Sequence, residues 1–217
     1  MPFRNHRRWI LTAAALAVSA TALRAALPTV PDVSGRTSTE GELLIAAPEL
    51  SGGPFDHAVV LMAQHNRDGA FGIVINHPAG SRPIAEVLRA MGVDIGSDMG
   101  ADAAGVSNDV MMFLGGPVDP QIAFALHSTE YRQPKTIDID GKVALTDAAV
   151  VLRDIGLGKG PAKSLIAFGY AGWAPEQLDD EIKSGAWTEI PDDPALVFDD
   201  DRSKVWADAL QQQKVGK

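Results

Sequence analysis

The stretch Val59–Pro78, VVLMAQHNRDGAFGIVINHP, decides the fold class. Two apolar runs rich in valine and isoleucine, Asp56–Ala63 and Phe71–Asn76, flank the polar sequence His65-Asn66-Arg67-Asp68-Gly69. This pattern predicts two strands and a tight hairpin connection with Gly69 at the positive-φ position. Before them, Leu43–Ala46 reads as a further strand, set apart by Pro48, Gly52, Gly53 and Pro54. After them, Ser81-Arg82-Pro83 opens a helix whose Ile84, Val87, Leu88 and Met91 recur at helical spacing and cover a sheet face, with Gly92 at its end.

Further along, Val93–Asp109 is rich in Gly, Asp, Ala and Ser without periodicity, which predicts a long surface loop. Val110–Leu114 reads as a buried strand, Gly115-Gly116-Pro117 as its break, and Ile122–His127 as the next strand, with His127 and Ser128 at its end. Thr136–Asp140 and Lys142–Leu145 alternate around Asp140-Gly141, a second hairpin signal. Thr146 is placed to cap a helix that turns Ala149, Val150, Leu152 and Ile155 inward and stops at Gly156. Ser164–Phe168 is a core strand, Ala195–Phe198 reads as a last strand, and a helix follows from Arg202 to Gln213. Strands outnumber helices and several are joined by hairpins, which argues an α+β fold with a mostly antiparallel sheet.

The chain has 217 residues and a net charge of −9. Residues 1–25 hold Arg4, Arg7, Arg8 and Arg24, no acid, and an apolar run rich in alanine, so they read as a leader rather than a fold element. Arg7-Arg8 before Trp9, Ile10 and Leu11 resembles a twin-arginine export signal, which implies a periplasmic destination. A retained anchor or an inert extension on a cytoplasmic protein is the alternative. Membrane contact is expected only through this leader where it is uncleaved. Residues 26–40, with two prolines and little hydrophobic mass, read as a mobile linker, and 41–217 as a single domain. Without the leader the charge falls from −9 to −13, which disfavours direct nucleic-acid binding, since that depends on Lys and Arg displacing counterions. Cysteine is absent, so disulfides and thiolate chemistry are excluded.

The segment Phe168–Trp187, FGYAGWAPEQLDDEIKSGAW, concentrates glycines, two indoles and a helix pattern. The helix is expected to start at Ala174 or Pro175, with Glu176 in its first turn and Gly185 at its end. Leu178 and Ile182 share one face; Gln177, Glu181 and Ser184 share another. Together with GELLIAAPEL (Gly41–Leu50), Val59–Pro78, FLGGPV (Phe113–Val118) and FALHS (Phe124–Ser128), this segment resembles the YqgE/AlgH family. The resemblance spans roughly residues 41 to 210 and implies a bent sheet forming a partial barrel with helices packed outside. That family is largely uncharacterised, and its label of transcriptional regulator comes from one branch.

His65, Asn76, His77 and His127 stand at strand ends beside turns, where sites tend to form. As metal ligands they lack any HExxH-like spacing, so no metal or other cofactor is expected, and the residues read first as hydrogen-bonded turn residues. Gly115, Gly116 and Pro117 offer backbone N–H groups to an anion, but a structural turn is the favoured reading. Ser128 beside His127 is the one tempting hydroxyl, yet adjacent strand residues point to opposite faces and no GxSxG elbow exists. Glu176, Asp179, Asp180 and Glu181 read as a solvated helix face, as do the clusters Asp192-Asp193 and Asp199–Asp201. Gly169, Trp173 and Trp187 make either a structural clasp or a wall of a cleft. A shallow recognition cleft requires the Gly115–Pro117 turn, His127 and Trp173 to converge, with Gln177 and Glu181 as its polar face. The function this favours is a non-enzymatic binding or regulatory module acting through protein partners. The alternatives are the transcriptional regulator of the family label and a small-substrate hydrolase using His127 or His65 as base.

Overall fold

The computed structural model describes residues 38–95 and 107–215. The expected leader, the linker as far as residue 37 and most of the expected Val93–Asp109 loop lie outside the described residues. Five strands come from the first half of the chain: β1 (Glu42–Ala46), β2 (Val59–Asn66), β3 (Gly69–Val74), β4 (Pro78–Pro83) and β5 (Asp109–Leu114). The second half supplies β6 (Val118–Ser128), β7 (Ile137–Ile139), β8 (Val143–Asp147), β9 (Ser164–Trp173) and β10 (Trp187–Pro191). Among the described residues, five α-helices accompany them, α1 (Ile84–Ala90), α2 (Ala148–Gly156), α3 (Gln177–Lys183), α4 (Pro194–Val197) and α5 (Val205–Val215), with one short 3-10 turn at Pro48–Leu50.

The strand order is β10-β1-β2-β3-β9-β6-β8-β7, with β5 joined to β9 and β4 to β5. Every pairing is antiparallel except β5 with β9. The sheet curls into a half-barrel, so the α+β reading with a mostly antiparallel, bent sheet holds. Register breaks between Met62 and Gln64 in β2 and between Val118 and Ala123 in β6 supply local bends, since an extra residue on one strand kinks it and tightens its twist.

Alternation along each strand decides what packs where. In β1, Leu43 and Ile45 face one way and Leu44 and Ala46 the other, and all four are buried because both faces are covered. Leu43, Ile45, Leu61, Ile73, Leu126 and Leu165 form one continuous apolar face, to which α4 and α5 add Leu196, Val197, Val205 and Ala209. On the opposite face, α3 covers Leu44, Val60 and Met62 through Leu178, while α1 and α2 cover Ala125 and Ile166. The two ends of the strand order also meet. Lys142, in the β7–β8 turn, forms an ion pair with Asp192 just past β10, and a Cβ on Gly41 would lie 2.7 Å from that of Asp140.

Several local expectations are corrected. Ser81–Pro83 belongs to β4 rather than to a helix start, because pairing with β5 holds this exposed segment extended up to the first residue of α1. Ala195–Phe198 is not a strand: the Asp193 carboxylate accepts the Ala195 N–H, Pro194 occupies the first turn, and the short apolar run becomes α4. Asp147, not Thr146, caps α2, accepting from the Ala149 and Val150 N–H groups. The buried face of α2 accordingly carries Ala148, Val151 and Leu152, with Ala149, Val150 and Ile155 only half-buried. The strand expected at Ser164–Phe168 runs on through Trp173, the helix expected from Ala174 or Pro175 starts at Gln177, and Glu176 adopts a left-handed conformation before it instead of lying in its first turn.

Candidate functional site

The segment Phe168–Trp187 does bring its two indoles together, around a carboxylate. Glu181 Oε2 accepts hydrogen bonds from Trp173 Nε1 at 2.9 Å and from Trp187 Nε1 at 2.8 Å, while Oε1 accepts from Gln177 Nε2 at 2.9 Å. Gln177 Oε1 in turn accepts from the Ala174 N–H at 3.0 Å. Phe55 closes the group, stacked on Trp173 and edge-on to Trp187, with ring centroids 6.2 and 5.2 Å apart. Trp173 is 6% exposed and Trp187 2% exposed, so the arrangement is a clasp that docks α3 on β9 and β10. Glu181 is thus turned inward and half-buried, whereas Gln177, read with it as a polar face, stays exposed.

Gly115, Gly116 and Gly169 also meet, for a different reason. The turn between β5 and β6 crosses β9 backbone to backbone: Gly115 N–H donates to Phe168 O at 2.7 Å, and a Cβ on Gly116 would lie 2.1 Å from the Tyr170 carbonyl carbon. The turn is therefore a close crossing, and its Gly115 N–H is committed to protein.

His127 lies elsewhere. It pairs with Ser164 at the start of β9, whereas Trp173 ends that strand and pairs with Ala70. At about 3.3 Å per residue the two stand at opposite ends of β9. The convergence of the Gly115–Pro117 turn, His127 and Trp173 that a recognition cleft requires is not observed. His127 is fully buried, and Nδ1 donates to Ser128 O at 3.0 Å, because a carbonyl can only accept. Its Nε2 then accepts from the Thr146 hydroxyl at 2.8 Å, and Thr146 accepts from Thr136 at 2.7 Å. Both nitrogens are engaged, so the ring is out of reach of a substrate.

Burial holds the His127 pKa below the ordinary 6.5, outweighing the Ser128 carbonyl, which acts the other way. The unfolded chain therefore takes up this proton first. The stability His127 contributes is complete above its unfolded-state pKa and is lost as the pH falls from there through the folded-state value. We expect His127→Gln to show a shallower loss of urea resistance between neutral and mildly acidic pH than the parent protein; identical slopes would contradict the lowering of the His127 pKa by burial.

His65 and Asn76 are structural as well. The Thr39 N–H and hydroxyl both approach His65 Nδ1, at 3.4 and 3.1 Å, and Nε2 faces Asp179 Oδ2 at 3.7 Å. Asn76 accepts the Val59 N–H through Oδ1 and donates through Nδ2 to His57 O, both at 2.8 Å, tying the end of β3 to the start of β2. His77 Nε2 donates to Asp56 O at 2.9 Å. Among the described residues, no group of three or more His, Asp or Glu side chains is arranged to hold a metal, and no helix is long and apolar enough to cross a membrane.

A feature missed from sequence lies along β10. This strand ends the sheet order, so its outer side carries no strand among the described residues. The bond from Ala47 N–H to Ala186 O sets the phase of the β1–β10 ladder. By alternation, Thr188 and Ile190 exchange bonds with β1, whereas Trp187 and Glu189 turn N–H and C=O outward. The bond from Ala46 N–H to Ala58 O agrees, since it directs Ala46 and Leu44 to β2. This edge forms the floor of a groove of about 680 Å³, bordered by Ile182 and Gly185 beside α3 and by Gln212 and Gln213 of α5. A neighbouring groove of about 630 Å³ crosses α4 and α5 and shares Asp193 and Gln212 with the first. Asp192, expected on a solvated face, is instead 6% exposed at this groove, with Oδ1 bound by Lys142 and Oδ2 buried without a hydrogen-bond partner.

Comparison with known proteins places this architecture. A family model described as AlgH-like matches residues 43–216. A UPF0301 protein of Methylococcus capsulatus is 36% identical over 184 residues, covering 85% of this chain and 95% of that one. Another, from Afipia carboxidovorans, is 37% identical over 192 residues, covering 86% and 89%. The solution structure of the AlgH protein from Pseudomonas aeruginosa superposes with a TM-score of 0.65 at 34% identity, covering 83% of this chain and 92% of that one.

Proposed function

The chain belongs to the AlgH-like family, and from that premise we propose that it is a binding module without catalysis of its own, acting through protein partners that dock on the outer edge of β10. The observation that carries this is the edge itself: outward N–H and C=O groups of Trp187 and Glu189 at the floor of a groove. An exposed sheet edge is a template for an added strand, with main-chain bonds giving affinity and flanking pockets giving selectivity. The Glu181 clasp supports the reading, since it fixes Trp187 and so the first residue of the edge. The engagement of both His127 nitrogens within the protein speaks against the hydrolase reading, and a net charge of −9 favours a protein partner over nucleic acid.

The test is site-specific photo-crosslinking in the native host, with the probe at Gln213 beside the groove and a control probe at Ser81 on β4. A discrete protein adduct is expected from position 213 only. Glu189→Pro removes one outward donor while leaving the β1 ladder intact, and is expected to abolish the adduct without changing the melting temperature. Equal adducts from Ser81, or an adduct that survives Glu189→Pro, would refute the docking edge.

A further inference from the structure

We propose that the segment received at β10 is an extended, basic stretch of a partner protein, which adds its backbone to Trp187 and Glu189 and lays Lys or Arg side chains into the two adjoining grooves. This rests on the reading of β10 as the docking edge and names the chemistry of its occupant. Glu189, Asp192 and Asp193 line the first groove, Asp193, Asp199 and Asp208 line the second, and neither lining includes a Lys or Arg. Because Asp193 and Gln212 belong to both, the acidic path is continuous.

Acid is already crowded along this edge. Burial raises the Glu42 carboxyl above its usual range, and the charge of Glu189, diagonally across the β1–β10 pair, raises it further. A cation at Glu189 relieves that repulsion. Asp192 is buried behind the groove and already engaged by Lys142 and Asp140, so the carboxylates left open to an incoming cation are those of Glu189 and Asp193. Lys204, which stands near these acids, is held by Asp201 at 2.6 Å and lies outside both linings. An acidic groove over a strand edge selects for positive side chains on the added strand, because like charges facing across a strand pair are destabilising and opposite charges are not.

The experiment uses the full chain and two end-blocked heptapeptides, one alternating lysine with threonine and the other glutamate with threonine, followed by amide NMR and hydrogen exchange. The lysine peptide is expected to shift and protect the Trp187 and Glu189 amides, to leave those of Thr188 and Ile190 unchanged, and to bind about tenfold more weakly when salt is raised from low to physiological strength. The glutamate peptide is expected not to bind. Asp193→Asn with Asp208→Asn keeps a good helix cap at position 193 and is expected to weaken the lysine peptide at least about fivefold while the fold is retained.

Equal binding of both peptides overturns the basic partner and leaves the docking edge standing. Failure of the lysine peptide to perturb Glu189 likewise overturns the basic partner. Trp187 and Glu189 amides already protected in the free protein would show the edge to be closed, and the proposed function would fall with it.

Discussion

Gly116→Ala is expected to yield no soluble folded protein, or one destabilised by more than about 4 kcal/mol. The added Cβ would lie 2.1 Å from the Tyr170 carbonyl carbon, 2.2 Å from its oxygen and 2.4 Å from the Ala171 nitrogen, and all three are backbone atoms with no rotamer to move aside. Gly116 also has φ +149, a conformation that L side chains rarely adopt. Relaxation would have to separate the β5–β6 turn from β9, yet Gly115 N–H is bonded to Phe168 O and Gly115 O to Val74 N–H. Gly158→Ala is the comparator: φ is +71, but nothing lies within 4 Å, so it isolates the conformational cost of about 1–2 kcal/mol. Circular dichroism and urea unfolding of the two variants separate clash from strain. A Gly116→Ala protein as stable as Gly158→Ala would show that the two backbones do not cross this closely.

Glu181→Ala is expected to cost about 2–4 kcal/mol, because it leaves the indole N–H groups of two buried tryptophans without an acceptor. Glu181→Gln keeps an oxygen at the hub and is expected to cost less than half of that. Asp180→Ala, one residue away on the same helix, removes a side chain that is 77% exposed and paired only with Lys183, and is expected to leave stability unchanged. Tryptophan fluorescence and near-UV dichroism report the clasp directly, and urea midpoints give the order Asp180→Ala, Glu181→Gln, Glu181→Ala. Equal midpoints for Asp180→Ala and Glu181→Ala would mean that the carboxylate does not hold the indoles.

These two sites show which information a sequence carries. The hairpins were legible because their signals are local: His65–Gly69 between two apolar runs, and Asp140-Gly141 between alternating ones. Strand β4, PAGSRP, was not, since it has no apolar pattern and is extended only because β5 pairs with it. The structural turn at Gly115–Pro117 and the clasp of Trp173 with Trp187 are both legible as possibilities, but that Gly169 meets Gly115 and Gly116, and that Glu181 is the hub of the clasp, is not. A carboxylate on a short helix looks the same in sequence whether it faces water or two indoles, and the position of β9 and β10 decides. His127 reads first as a hydrogen-bonded residue and is one, but its partners are not legible locally, because Thr136 and Thr146 arrive from a separate hairpin. The groove along β10 was illegible for a further reason: being the last strand in a sheet is a property of the topology, and no stretch of residues encodes it alone.

The pairing of β1 with β10 also orders events on the ribosome. Leu43 emerges well before its partner Ile190, which lies far along the chain. Until then β1, buried on both sides in the finished protein, is itself an edge, with the ladder groups of Leu43 and Ile45 unsatisfied and only β2 beside it. Until β10 emerges, a nascent chain that has formed the β1–β2 pair carries an apolar border, a state that invites intermolecular pairing and chaperone capture. Arrival of β10 is what ends that exposure, moving the open border from apolar β1 to the acid-lined β10.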